Sequence, residues 1–302
     1  MNRNRLGRSE LLISELGLGC MSLGTEESTA IPIIHEALER GVNFLDTSDL
    51  YDAGRNEEII GQALRGRRGE VILATKVGNR RIPGREGWVW DPSKAYILSS
   101  VKESLHRLQT DYIDLYQLHG GTLDDPIDET IEAFEQLKRE GVIRYYGISS
   151  IRPNVIREYV RRSGIVSVMS QYSLLDRRPE EEVLPLLEEH GIGVLARGPL
   201  AGGILTGQGR QKAERGYLDH SPGELPALHA RLLEGCRAPR TLPQAALHYP
   251  LAAPAVAAVI AGASSTEQLR GNLAAIESPP LTPQELEALR AASPVNRYTA
   301  HR

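Results

Sequence analysis

Two hydrophobic rhythms alternate along the chain. Five segments with apolar residues three and four positions apart, the period of an amphipathic helix, are followed by a glycine and a short unbroken apolar run. Such a run suits a strand buried on both faces. The joins read Glu39-Arg40-Gly41-Val42, Arg65-Gly66, Glu140-Gly141-Val142, Ser163-Gly164-Ile165 and His190-Gly191-Ile192. Glycine just past a helix closes its last turn in the left-handed conformation, and β-branched residues after it start a strand. Eight strands are predicted, at Leu16–Cys20, Asn43–Asp46, Val71–Lys76, Ile113–His119, Val142–Ser149, Ile165–Tyr172, Gly193–Arg197 and Ala255–Gly262. The helices fall at Ser28–Arg40, Asn56–Arg65, Pro92–Arg107, Pro126–Arg139, Pro153–Arg162, Pro179–Glu189 and Thr266–Ala275. Ahead of them, the Leu6-Gly7-Arg8 turn and Leu11-Leu12-Ile13 suggest a short hairpin.

Strict alternation of strand and helix implies parallel strands with right-handed crossovers. Eight such units favour an α/β fold closed as a (β/α)8 TIM barrel with an N-terminal β-hairpin. An open dinucleotide-binding sheet would carry GxGxxG after its first strand, and Gly17-Leu18-Gly19-Cys20-Met21-Ser22 lacks the third glycine. Two long loops interrupt the alternation. Val77–Asp91, after the third strand, contains both tryptophans, Trp88 and Trp90; Gly198–Leu242, after the seventh, is rich in Gly, Pro and charge, with a helix expected at Glu224–Cys236. Barrel active sites lie at the strand C-termini, so both loops should overhang the site. No linker or low-complexity tract marks a second domain, and residues 1–302 read as one barrel domain.

Composition narrows the partners. A length of 302 residues suits such a barrel, and a net charge of -4 provides no broad basic surface for nucleic acid. The basic runs Arg65–Arg68 and Arg161-Arg162 fall where helices end, and read as solvated helix ends. Cys20 and Cys236 are far apart, in neither a disulfide framework nor a metal-ligand spacing, which points to a reducing compartment. The N-terminus has no apolar leader, and Leu251–Ala263 is interrupted by Pro254 and too short to span a bilayer. A cytoplasmic protein with no membrane partner and no metal is expected; the oligomeric state stays open.

Chemistry gathers at successive strand ends. Asp46 closes the second strand, Lys76 the third and His119 the fourth, with Tyr51 on the loop after Asp46. Strand ends of a barrel converge on one mouth, so these four can share a pocket. A free phenol with a pKa of about 10 is a weak acid at neutral pH. An adjacent ammonium would lower the phenol's pKa, a buried carboxylate would keep the ammonium charged, and a histidine could donate a hydrogen bond to an oxygen bound beside it. Asp49 and Asp52 flank Tyr51 and rank as loop residues, since only Asp46 sits on the strand.

DTSDLY, ATK and QLHG stand in the order seen in aldo-keto reductases, and with GIS at Gly147–Ser149 and AGASSTEQLRGN at Ala261–Asn272 the chain resembles that family over nearly its whole length. The resemblance implies an NADPH-dependent carbonyl reductase of the alcohol dehydrogenase type, with Tyr51 as acid, Lys76 and Asp46 as its partners and His119 beside the carbonyl of a small substrate. Gly19 and Met21 join the expected cofactor set. Ser149 and Ser150 end the fifth strand and can bond the nicotinamide carboxamide, although the family commonly has Asn at the second position. The family's carboxamide-binding Gln falls at Met169 here, so the role passes to Gln171, one pleat further on. Arg197 stands where the family stacks an aromatic ring on the nicotinamide, and Gly198, Leu200 and Gly202 lie in the segment that wraps the pyrophosphate.

Gly262, Ser264 and Ser265 enter a helix whose free N–H groups suit a phosphate, and Gln268 and Asn272 resemble the family's adenosine contacts. Gly262 and Gln268 occupy positions where the family often places a cation for the 2′-phosphate. NADP therefore rests on the resemblance, with NAD as the alternative. Met21, Leu50, Trp88 and Trp90 offer an apolar rim for substrate. Two other readings compete: a Schiff-base lyase acting through Lys76, and a cofactor-sensing regulatory barrel with little turnover.

Overall fold

The computed structural model describes residues 1–82, 84, 87–207, 209–236 and 239–302, so parts of both long loops lie outside the described residues. Eight parallel strands close a barrel: β3 (Leu16–Gly19), β4 (Phe44–Asp46), β5 (Ile72–Val77), β8 (Ile113–Leu118), β9 (Ile143–Ser149), β10 (Ser167–Gln171), β11 (Gly193–Arg197) and β12 (Val256–Gly262), with β12 paired back onto β3. They are the strands predicted, mostly trimmed by a residue or two at their ends, with β5 shifted by one. Two hairpins complete the strand numbering, β1 (Arg3–Arg5) with β2 (Leu12–Ser14), and β6 (Asn79–Arg81) with β7 (Trp88–Trp90).

The first hairpin plugs the N-terminal end of the barrel. Leu6, Leu11 and Ile13 are buried with Phe44, Leu115 and Leu195 in one apolar cluster. Gly7 turns there at φ +54, and a Cβ on it would lie 2.3 Å from the Val166 carbonyl oxygen, so only glycine fits this approach.

The barrel is wrapped by α1 (Glu27–Glu39), α2 (Arg55–Ala63), α3 (Lys94–Leu108), α4 (Ile127–Arg139), α5 (Pro153–Arg162), α6 (Val183–Glu189), α9 (Leu242–Leu251) and α10 (Thr266–Ile276). The seventh loop adds α7 (Gly209–Ala213) and α8 (Leu225–Gly235), and α11 (Pro283–Ala292) follows the barrel. Neither α9 nor α11 was expected from the apolar rhythm. Yet both begin with a capping box, Thr241 with Gln244 and Thr282 with Glu285, followed by Pro in the first turn.

Three further expectations are corrected. Gly164 does not close its helix in a left-handed turn, because α5 already ends in extended backbone at Ser163 (φ -132, ψ 168). The segment 178–189 splits into a 3₁₀ turn at Arg178–Glu180 and the shorter α6. Arg68 is not a solvated helix end: it lies 4.1 Å above the Tyr112 ring and donates to the buried carboxylate of Asp114 at 2.7 Å.

Candidate active site

The C-terminal ends of β4, β5 and β8 meet as the sequence predicts. Register puts Gly19 beside Asp46, and Lys76 beside Gln117. Lys76 is wholly buried, and its Nζ donates to Asp46 Oδ2 at 2.7 Å, to the Thr47 carbonyl oxygen at 2.7 Å and to the Tyr51 hydroxyl at 3.1 Å. All three N–H groups of the ammonium are thereby used. Gln117 Nε2 reaches the other Asp46 oxygen at 3.4 Å. Burial works to neutralise Lys76, but the Asp46 carboxylate and the Tyr51 oxygen outweigh it and hold the amine above its ordinary value, as ammonium.

The expected lowering of the Tyr51 pKa is corrected. Lys76 does favour the phenolate, but burial of the phenol is the larger effect and Asp46 adds to it, so the net direction is upward. Tyr51 therefore holds its proton through the neutral range. The turn that carries it is strained, with Asp52 and Ala53 at φ 48 and 61, backbone that non-glycine residues rarely adopt. His119 lies just past β8, its ring edge-on to Tyr51 with centroids 6.1 Å apart. Burial first, then the charges of Lys76 and Arg197, push its pKa down to about 3, leaving a neutral imidazole.

These four line a cleft of about 1600 Å³ that runs across the barrel mouth. Every other predicted contact residue lines the same cleft: Gly19, Met21, Ser149, Ser150, Gln171, Arg197, Gly198, Leu200, Gly202, Gly262, Ser264, Ser265, Gln268 and Asn272, with Trp88 and Trp90 at the rim. Arg197 Nη1 donates to Gln171 Oε1 at 2.8 Å, and Gln171 Nε2 donates to the Tyr217 hydroxyl at 3.0 Å, so both ends of the Gln171 amide are engaged. At the far end Ser265 caps α10, and Ser264 donates its N–H and hydroxyl to Gln268 Oε1 at 3.0 and 3.1 Å. Asn272 Nδ2 reaches the Gly262 carbonyl oxygen at 3.1 Å.

The two tryptophans differ. Trp90 is a fixed wall: its ring fills the space a Cβ on Gly78 or Gly120 would occupy, at 2.6 and 3.1 Å, and its Nε1 donates to Asp125 at 2.9 Å. Trp88 is 53% exposed and forms the free rim.

Sequence reasoning missed Ser22, Arg152, Lys212 and Tyr217, which also line the cleft. Ser22 has a trace in the sequence, because its hydroxyl would lie 2.4 Å from a Cβ on Gly262, which calls for glycine there. Arg152 and Tyr217 come from loops and Lys212 from the short α7, segments whose approach to the cleft only the folded chain creates. Asp49 is the loop residue expected, yet it is only 9% exposed and hydrogen-bonded to Ser48 and Ser100 at 3.2 and 3.3 Å. Among the described residues no group of three or more His, Cys, Asp and Glu side chains could hold a metal ion, and no helix is long and apolar enough to cross a membrane.

The fold is thus a closed parallel barrel with an ion pair, a phenol and an imidazole at its C-terminal mouth. The chain belongs to the aldo/keto reductase family, whose family model matches residues 15–294. It is 59% identical to the uncharacterized oxidoreductase YqkF of Bacillus subtilis, with 100% of both chains covered. Among solved structures it is similar to aldo-keto reductase AKR11C1 from Bacillus halodurans. The holo form gives a TM-score of 0.95 at 58% identity, covering 100% of this chain and 99% of that one. The apo form gives 0.86 at 53% identity with the same coverage. The higher score is with the holo form.

Proposed function

We propose that the chain is a single-domain carbonyl reductase, residues 1–302, that uses NADPH to reduce a small aldehyde or ketone. The observation that carries this reading is the Lys76 ammonium bonded at once to Asp46, Thr47 and Tyr51. A reduced nicotinamide, when bound, supplies a hydride to the carbonyl carbon. Tyr51 gives its hydroxyl proton to the carbonyl oxygen, whose developing alkoxide is a far stronger base than a phenolate, so the transfer stays downhill although the raised phenol pKa lessens its driving force. Lys76 stabilises the phenolate left behind, Asp46 keeps Lys76 charged, and His119 donates a hydrogen bond to the same oxygen.

The cleft fits a dinucleotide. A helix N-terminus with two serines lies at one end, glycine-rich backbone at Gly198–Gly203 along its side, and the hydrogen-bonding groups of Ser149, Ser150 and Gln171 near the reacting residues. The nicotinamide end would rest on Arg197. The nearer match to a holo structure supports a cleft already arranged for such a ligand. NADPH is the preferred form and NADH the alternative. Schiff-base chemistry at Lys76 is disfavoured, because an amine held as ammonium with every N–H engaged has no lone pair for attack.

The test is oxidation of NADPH and of NADH by the full-length protein with a panel of aldehydes and ketones that includes 4-nitrobenzaldehyde and methylglyoxal. Turnover with NADPH exceeding that with NADH is expected. No oxidation of either cofactor, combined with borohydride trapping of a ketone on Lys76, contradicts the reading.

A further inference from the structure

Ser48 stands between two titratable side chains that the reduction mechanism does not connect. Its Oγ lies 3.2 Å from His119 Nδ1 and 3.2 Å from Asp49 Oδ1, and the Leu50 N–H donates to the same oxygen at 3.2 Å. A hydroxyl has one proton and can donate it to one neighbour only. A neutral imidazole carries one N–H, so the direction of the Ser48 hydroxyl decides which ring nitrogen holds it.

Two closed arrangements exist. With Asp49 ionised, Ser48 donates to the carboxylate and accepts from Nδ1–H, leaving Nε2 without a proton. With Asp49 protonated, the carboxylic acid donates to Ser48 and Ser48 donates to Nδ1, so the proton sits on Nε2. Only the second gives the ring's free nitrogen a hydrogen to offer a carbonyl oxygen.

The surroundings of Asp49 make both arrangements reachable near neutral pH. Its backbone N–H faces the Lys76 carbonyl oxygen at 3.5 Å, and Ser100 on α3 donates to Oδ2 at 3.3 Å. Glu57 on α2 repels the carboxylate and Arg107 on α3 attracts it; the phenols of Tyr96 on α3 and Tyr116 on β8 face it as well. Glu57 is itself fully buried and bonded to Thr75 and Arg107 at 2.6 and 2.7 Å. Burial and then Glu57 push the Asp49 carboxyl up to about 7. Asp49 also lines a second cavity of about 650 Å³, bounded by Asn79, Arg80, Asp91, Tyr96 and Arg107. That gives its proton a way to exchange without crossing the substrate cleft.

We propose that Asp49 is a positioning residue that sets the tautomer of His119 through the Ser48 hydroxyl. Protonated Asp49 places the ring proton on Nε2, and ionised Asp49 draws it to Nδ1. The kinetic consequence, a reduction rate that falls as Asp49 ionises, rests on the role given to His119 under Proposed function. The tautomer itself does not.

The experiment is long-range proton–nitrogen correlation NMR on the full-length protein labelled with ¹⁵N-histidine, between about pH 6 and 8.5, with His119 assigned by loss of its signal in His119→Gln. The wild type should show Nε2–H at the acid end and Nδ1–H at the basic end. In Asp49→Asn the amide donates to Ser48 as the acid did, so Nε2–H should persist throughout; in Ser48→Ala one tautomer should persist at every pH. One tautomer throughout in the wild type overturns the proposal, and so does a switch that survives in Asp49→Asn. Single-turnover reduction over the same range separates the two readings. A fall of about tenfold or more that Asp49→Asn removes supports both. A tautomer switch without any fall in rate supports the proposal and overturns the donor role of His119.

Discussion

At the scale of single residues, the proposed chemistry depends on Asp46 holding Lys76 charged and on Lys76 stabilising the phenolate of Tyr51. Lys76 bonds to both partners and no hydrogen bond joins Asp46 to Tyr51, so Asp46 should act on the phenol chiefly through the lysine. A double-mutant cycle in single-turnover reduction should find Asp46→Asn strongly slowing in the wild-type background and nearly neutral in Lys76→Met; equal slowing in both backgrounds would break that order. Arg197 carries a second prediction. If the nicotinamide rests on Arg197 as proposed, the guanidinium held by Gln171 would repel its cationic oxidised form more than the neutral reduced one. Fluorescence titration should give tighter binding of NADPH than of NADP+, with the ratio shrinking in Arg197→Tyr, and equal dissociation constants in the parent count against it.

Much of this was legible because Asp46, Lys76 and His119 each sit at a strand end, where register leaves little freedom. Asp49 was illegible for the converse reason: it has the spacing of a solvated loop residue, and its burial comes from α2 and α3 folding over it.

At the scale of elements, apolar runs and the glycines after helices located the eight barrel strands, since strands buried on both faces leave an unmistakable composition. The rhythm failed at α9 and α11. Leu242–Leu251 holds prolines at 243 and 250, which disguised a helix that its capping box would have revealed. It also failed at β6 and β7, because Asn79–Arg81 is polar and Trp88–Trp90 mostly exposed, leaving no run of buried apolar residues to read. What fixes that hairpin is Trp90 seated against Gly78 and Gly120. Gly78→Ala combines an unfavourable φ of +124 with a Cβ 2.6 Å from the ring, so it should cost about 1–3 kcal/mol in urea unfolding and raise KM more than it lowers kcat. A variant as stable as the parent would mean that Trp90 is not anchored there.

At the scale of the whole molecule, barrel closure brings residues from seven strands, two insertions and the last barrel helix to one mouth, and it buries ionisable groups in doing so. Burying Asp49 has a cost that depends on pH. Its folded pKa of about 7 lies above the ordinary carboxylate value, so the folded state binds the extra proton between these values and loses stability as pH rises through them. Asp49→Asn escapes that loss. Its unfolding free energy relative to the parent should climb from about pH 4 to about pH 7 and then level off, a change on the order of 4 kcal/mol at most in urea unfolding; a difference independent of pH would mean that Asp49 is not held protonated. The central claim, that the assembled mouth reduces carbonyls by a proton from Tyr51, is tested most directly by stopped-flow NADPH oxidation with 4-nitrobenzaldehyde in the parent and Tyr51→Phe, alongside NADPH binding. The account predicts unchanged binding and a rate lower by about 10²–10⁴-fold, whereas a rate within a few-fold of the parent would contradict it.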